Sequence, residues 1–162
     1  FIQFCDAFSI PVLSITNVNG FKNCMCSEKK LAKALARMTY AFSNATCAKV
    51  NMITGEAYGS AYVFMNSKSI GADLVYAWND AKIGTMDSTM AAKIMYPDAD
   101  AAEIKEKASE YEKLQSSATS AAARGYVDRI IEPADSRKYL VAAFEMLYTK
   151  YVGEPEKKHG TK

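Results

Sequence analysis

The chain has a single histidine, His159, close to its C-terminus. A Ser-His-Asp or Cys-His nucleophile, or a histidine-rich zinc site, therefore has almost nothing to draw on. Cysteine is thin as well: Cys5, Cys24, Cys26 and Cys47 are the 4 thiols of 162 residues. A disulfide scaffold is shorter and denser in cysteine, so free thiols in a reducing cytoplasm are expected. Cys24-Met25-Cys26 has no second pair to complete a tetrahedral site, and no metal is expected. No uninterrupted apolar run approaches the roughly 18 residues that cross a bilayer, so no membrane contact by this chain is expected. An excess of one charge is also missing. Lysine and arginine number 20 against 18 acidic residues, a net +2, too weak for a nucleic-acid partner. Neither G-x-G-x-x-G nor G-x-x-x-x-G-K-[ST] occurs, so the usual phosphate cradles are absent, and G-x-S-x-G is absent too.

What remains is an ordinary globular composition, 49% hydrophobic and 23% charged, which excludes a largely disordered chain. A chain of this size buries about two-thirds of its surface, enough for one domain with one core. The first residues fall inside an amphipathic run in which Phe1, Phe4 (or Cys5) and Phe8 share a helical face, the pattern of a piece of a longer protein. The expected domain is 1–152, and 153–162 reads as a polar, disordered tail.

Strand and helix patterns alternate along the chain. Residues 12–18 follow Pro11 and are rich in β-branched side chains, a strand pattern ended by Asn19-Gly20. Ser27 is placed to cap a helix running to about Ala45, with Leu31, Leu35, Met38 and Phe42 on its apolar face. Further strands are expected at 49–54, 72–78 and 81–86, and a short strand or extended link at 126–131. Helical turns are expected over 63–68, a helix capped by Asp87 or Ser88, and others over 101–114 and 116–125. A last helix opens at Glu132-Pro133, with Tyr139 (or Leu140), Ala143, Leu147 and Tyr151 on its apolar side. The alternation is that of an α/β fold with crossover connections.

One turn carries chemistry. Gly59-Ser60-Ala61 lies between a strand pattern and a helix pattern, and its small side chains leave main-chain N–H groups open. Two such donors at a helix start hold a developing oxyanion, on a thioester enolate or a urea carbonyl, without a titratable side chain. A serine nucleophile at Ser60 would need Lys68 or Lys93 as its base, and nothing in the spacing places either there. A stand-alone hydratase or isomerase would need a carboxylate at the turn, for which Glu56 and Asp87 are the candidates.

Several motifs, in order, resemble one family. They are Phe4-Cys5-Asp6-Ala7-Phe8 with Ile10-Pro11, then Ala45-Thr46-Cys47-Ala48-Lys49-Val50, then Ala57-Tyr58-Gly59-Ser60-Ala61-Tyr62. Ser67-Lys68-Ser69-Ile70-Gly71-Ala72-Asp73, Tyr76-Ala77-Trp78 and Ala122-Ala123-Arg124-Gly125-Tyr126-Val127-Asp128 follow, with Ile131, Pro133 and Arg137. This signature resembles the C-terminal half of the biotin-dependent acyl-CoA carboxyltransferases, including related decarboxylase subunits, and spans Phe1 to about Leu147. The resemblance implies a crotonase-like spiral of ββα units in a single domain. It implies an active site shared with the N-terminal half of another subunit, acyl-CoA and a biotin carrier protein as partners, and a homo-oligomer. Biotin would be the cofactor, held on a separate carrier domain. The backbone N–H groups of Ser60 and Ala61 would be the oxyanion donors. Gly59, Tyr62 and Val63 would line the pocket, and Gly20 and Phe21 would border the biotin entrance.

The departures point to a divergent branch. Ser60 stands where many members have glycine, Val63 where aspartate is common, and Asn19 where proline is usual. The stretch from Lys22 to Arg37 lacks the family's glycine-rich, histidine-containing segment. Three readings follow: half of a carboxyltransferase site working in either direction, a non-catalytic oligomerisation module, or the hydratase-type enzyme. An exposed apolar patch and self-association are expected in every case where the mate half is missing.

Overall fold

The computed structural model describes residues 1–153. The expected tail, apart from Gly153, and His159 lie outside the described residues.

Helix α1 (Ile2–Ala7) leads through Pro11 into strand β1 (Val12–Val18), which is the strand expected from its β-branched residues. Of the alternatives in α1, burial selects Cys5, whereas Phe1, Phe4 and Phe8 face outward. Helix α2 (Met25–Asn44) begins two residues before the expected Ser27 cap, with Cys24 at its N-cap. The Ser27 hydroxyl is instead engaged with the Cys24 thiol at 3.1 Å, which also lowers that thiol's pKa. Half-buried Leu31, Leu35 and Met38 and buried Phe42 form the inner face of α2, as their spacing predicts.

Strand β2 (Lys49–Tyr58) runs four residues past the expected 49–54. The reason lies in the partner strand. Its pairing with β1 shifts between Thr16 and Val18, and the Glu56 N–H freed by that bulge donates to Asn17 Oδ1 at 3.0 Å. Asn17 presses on Gly55, where an added Cβ would meet its Oδ1 at 2.8 Å. The extended end of β2 then pairs with β4 (Lys82–Gly84), while its first half pairs with β3 (Leu74–Trp78). Strand β5 (Arg129–Ile131) adds to β3, giving the order β1-β2-β3-β5 with every ladder parallel.

Helix α3 (Gly59–Phe64) starts at the very end of β2 rather than at Val63, and a 3₁₀ turn over Lys68–Ile70 completes the link to β3. Helix α4 (Ser88–Met95) is capped by Asp87, whose carboxylate accepts from the Thr89 and Met90 N–H groups. Helix α5 (Ala101–Tyr111) stops three residues short of the expected 114 and passes into a π turn over Glu112–Ser116. Helix α6 (Ala118–Ala123) is capped by Ser117. A 3₁₀ turn over Pro133–Asp135 precedes helix α7 (Ser136–Met146), so Tyr151 lies beyond the helix and is exposed rather than on its apolar side.

Both faces of the sheet are covered along β2 and β3, as parallel strands require, while Leu13 and Ile15 of β1 stay exposed. Ile53, Val75, Ala77 and Ile83 pack with Tyr62, Ala118, Ala121 and Val127 on one face. Val50, Met52 and Tyr76 pack with Ala143 and Phe144 of α7 on the other. Thr16 donates to Asn51 Oδ1 at 2.8 Å between β1 and β2, a buried polar link inside the sheet. Asp73 binds the start of β2 to the chain after α7: it accepts from the Lys49 N–H at 2.8 Å and from Lys150 Nζ at 2.9 Å.

Candidate active site at the β2–α3 turn

Gly59 takes φ +59°, the left-handed conformation that turns the chain straight from strand into helix. Tyr58, at the N-cap of α3, makes no side-chain cap bond. The first N–H groups of a helix have no acceptor within it, and here no side chain supplies one. The N–H groups of Ser60 and Ala61 are among those groups.

A cavity of about 520 Å³ opens at this turn, within the ~300–1,000 Å³ usual for small-molecule sites. Gly59, Ser60, Tyr62 and Val63 line it. Ala61 is 3% exposed, packs inward and is not among the lining residues. Gly20 and Phe21 are not among the lining residues; Phe21 packs its ring 6.4 Å from that of Phe64, near the other end of α3.

The opposite wall comes from distant segments. Ile83, Gly84 and Thr85 contribute the end of β4, Tyr111 and Gln115 come from the α5 region, and Ala121, Arg124 and Tyr126 from α6 and the link after it. Ser69 adds a hydroxyl from the 3₁₀ turn. Ser69, Arg124 and Tyr126 sit inside motifs visible in the sequence. Tyr111 and Gln115 carry no such signal, because only the π turn brings their helix to the cavity.

Tyr62 is 7% exposed, and its hydroxyl has no hydrogen-bond partner among the described residues. Burial, with a smaller contribution from the Tyr126 phenol, pushes its pKa up to about 12. The phenol is therefore neutral near pH 7. The carboxylates considered for acid–base work lie elsewhere. Asp87 is occupied capping α4, and Glu56 sits within β2 outside the cavity lining. Of the two possible bases for Ser60, Lys68 is paired with Asp128 at 2.8 Å, and Lys93 lines a separate groove between α4 and α5. Arg124 is the one charged lining residue. The arrangement offers main-chain donors, apolar walls and a cation, the means to bind an anion and to steady charge that develops on an oxygen.

Among the described residues no helix is long and apolar enough to cross a membrane, and no group of three or more metal-ligating side chains occurs.

A family model, the carboxyl transferase domain, matches residues 1–161. The chain belongs to this family. Among its relatives, a putative propionyl-CoA carboxylase beta chain of Bacillus subtilis (strain 168) is 46% identical over 99% of this chain and 33% of its own length. The methylmalonyl-CoA decarboxylase subunit alpha of Propionigenium modestum is 45% identical over 99% of this chain and 32% of its own length. The chain thus spans about a third of the length of the curated relatives it matches. A crystal structure of the transcarboxylase 12S hexamer, with methylmalonyl-coenzyme A and methylmalonic acid bound, superposes with a TM-score of 0.92 at 39% identity. That match covers 99% of this chain and 32% of the 12S chain. The beta subunit of Pseudomonas aeruginosa geranyl-CoA carboxylase, 23% identical over 99% of this chain and 33% of its own, shares the fold with a TM-score of 0.77. The family accounts for the fold, a crotonase-like spiral in which ββα units lay down a parallel sheet.

Proposed function

We propose that this chain is the C-terminal part of a biotin-dependent acyl-CoA carboxyltransferase, and that the β2–α3 turn is its contribution to catalysis. The observation that carries the reading is the uncapped start of α3, opening into a cavity of suitable size. The cavity fits the ureido ring of biotin in kind: apolar walls for the ring and unbonded N–H groups for the ureido oxygen. Biotin, on a separate carrier, supplies a ureido nitrogen that carries the carboxyl group.

The chain's residues do the rest. The Ser60 and Ala61 N–H groups donate to the ureido oxygen and stabilise negative charge as it develops there. They are fixed before the reaction by the turn at Gly59, so no reorganisation is needed. Ser60 serves in place of the glycine common in the family because only its N–H is used. Tyr62 and Val63 close the apolar side and keep water out. Gly20 and Phe21 border the carrier's approach. The acyl-CoA is held mainly by the N-terminal half of a neighbouring subunit. Relatives named as carboxylase and as decarboxylase subunits are almost equally similar, at 46% and 45%, so the same cradle serves either direction.

The test is turnover by the complete subunit. Carboxylation of free biotin that depends on malonyl-CoA or methylmalonyl-CoA supports the reading. A well-folded complete subunit without turnover on any acyl-CoA moves the function to assembly alone. That second reading rests on exposed apolar surface: the outward Phe1, Phe4 and Phe8 of α1, Leu13 and Ile15 of β1, and the groove along α7 formed by Leu140, Val141, Phe144 and Tyr148. Sedimentation of this chain as an ideal monomer at high concentration counts against it.

A further inference from the structure

The cavity's charge comes from one side chain. Arg124 follows α6 and reaches back over the π turn, where its contacts are all to neutral acceptors. Nη1 donates to the Gln115 carbonyl at 3.4 Å. Nη2 donates to the Leu114 carbonyl at 3.5 Å and to Gln115 Oε1. No carboxylate pairs with Arg124 among the described residues, and its side chain is exposed at the cavity. A guanidinium has five N–H donors, so these contacts orient the group and leave donors for a ligand. The acceptors are supplied by a π turn, an irregularity common at functional sites.

A lining guanidinium without a carboxylate partner is open to an anionic group of the ligand. The group moved in the proposed reaction is a carboxylate, and planar, bidentate binding of carboxylate is what a guanidinium does best. We propose that Arg124 binds the carboxylate of the transferred group, so that the cavity prefers a carboxylated cyclic urea to the free urea. Ser60 and Ala61 then recognise the urea, and Arg124 recognises whether it is loaded. The assignment rests on the carboxyltransferase reading and deepens it.

The test separates the two by binding, in the complete subunit, with two stable probes. One is neutral 2-imidazolidinone; the other is 2-oxoimidazolidine-1-acetate, the same ring with its carboxylate one methylene away from the nitrogen. Both are titrated by NMR. The unsubstituted protein binds the charged urea about 10- to 100-fold more tightly than the neutral one, the range of a hydrogen-bonded charge. Arg124→Gln abolishes that preference while its affinity for the neutral urea stays unchanged, which a general loss of packing would not produce. Arg124→Ala, with an unchanged thermal midpoint, regains the preference when millimolar guanidinium chloride is added. A preference that survives Arg124→Gln, or equal binding of both ureas by the unsubstituted protein, overturns the assignment and leaves the carboxyltransferase reading standing. Binding of neither urea removes the cradle itself, and the role of Arg124 with it.

Discussion

Gly59 packs against the main chain of Thr85: a Cβ built on Gly59 would lie 3.1 Å from the Thr85 carbonyl oxygen, at a backbone φ of +59°. The contact holds the end of β2 close to the end of β4, and both segments line the cavity. Gly59 is thus fixed twice, by its own torsion and by its neighbour. Gly59→Ala is predicted to destabilise the domain by about 1–2 kcal/mol, combining left-handed strain with the tight contact. Thermal unfolding checks this, and an unchanged midpoint would show that the turn tolerates a side chain.

Tyr62 gives a pH-dependent prediction. Its phenol titrates at about 12 in the fold because it is buried, and at about 10 in the unfolded chain. Between those values the folded state holds the proton and the unfolded state releases it. The contribution to stability is therefore full below pH ~10 and is lost as pH rises through ~12, at most about 3 kcal/mol in all. Tyr62→Phe removes this part of the alkaline slope. Near pH 7 it raises stability by up to about 1 kcal/mol, since the buried hydroxyl has no partner to lose. Urea unfolding of both proteins from pH 7 to 11.5 (~ half-unit steps suffice) measures it; parallel curves would contradict the assignment.

Asp128 links the segment after α3 to the sheet. Its Oδ2 accepts from the Val75 N–H at 2.7 Å and from Lys68 Nζ at 2.8 Å, and Lys68 also donates to the Asp73 carbonyl at 3.0 Å. Asp128→Ala leaves the Val75 N–H of β3 without its acceptor and takes the carboxylate from Lys68, which keeps the Asp73 carbonyl. The predicted cost is about 1–3 kcal/mol, with Asp128→Asn losing less because its carboxamide oxygen still accepts. Comparable midpoints for parent and Asp128→Ala would reduce the pair to a solvated surface contact.

Much of the fold was legible because its signals were local. Residues 12–18 combine β-branching with a preceding Pro11 and form β1 at the expected bounds. Asp87 caps α4 as its side-chain chemistry dictates. The errors came from non-local contacts. Strand β2 outran its apolar run because Asn17, on another strand, satisfies the Glu56 N–H. Helix α1 turned its phenylalanines outward because Val12, Phe42, Ala45 and Cys47 pack around Cys5 instead. The site divided in the same way. Gly59, Ser60, Tyr62 and Val63 are adjacent in sequence and fell together, whereas Tyr111 and Gln115 reach the cavity only through a π turn that no local pattern announced. Burial also decides which residue of the turn is open to substitution. Ala61 packs in the core at 3% exposure, so enlarging it would damage the fold together with the site.

The most direct measurement is therefore made at Ser60 in the complete subunit. Ser60→Pro deletes the N–H yet fits the first turn of a helix, and Ser60→Gly keeps the N–H while removing the hydroxyl. The account predicts carboxyl transfer within a few fold of the parent for Ser60→Gly. For Ser60→Pro it predicts a loss of about 100- to 1,000-fold, with thermal midpoints near the parent's. Full turnover by Ser60→Pro would contradict the backbone cradle outright.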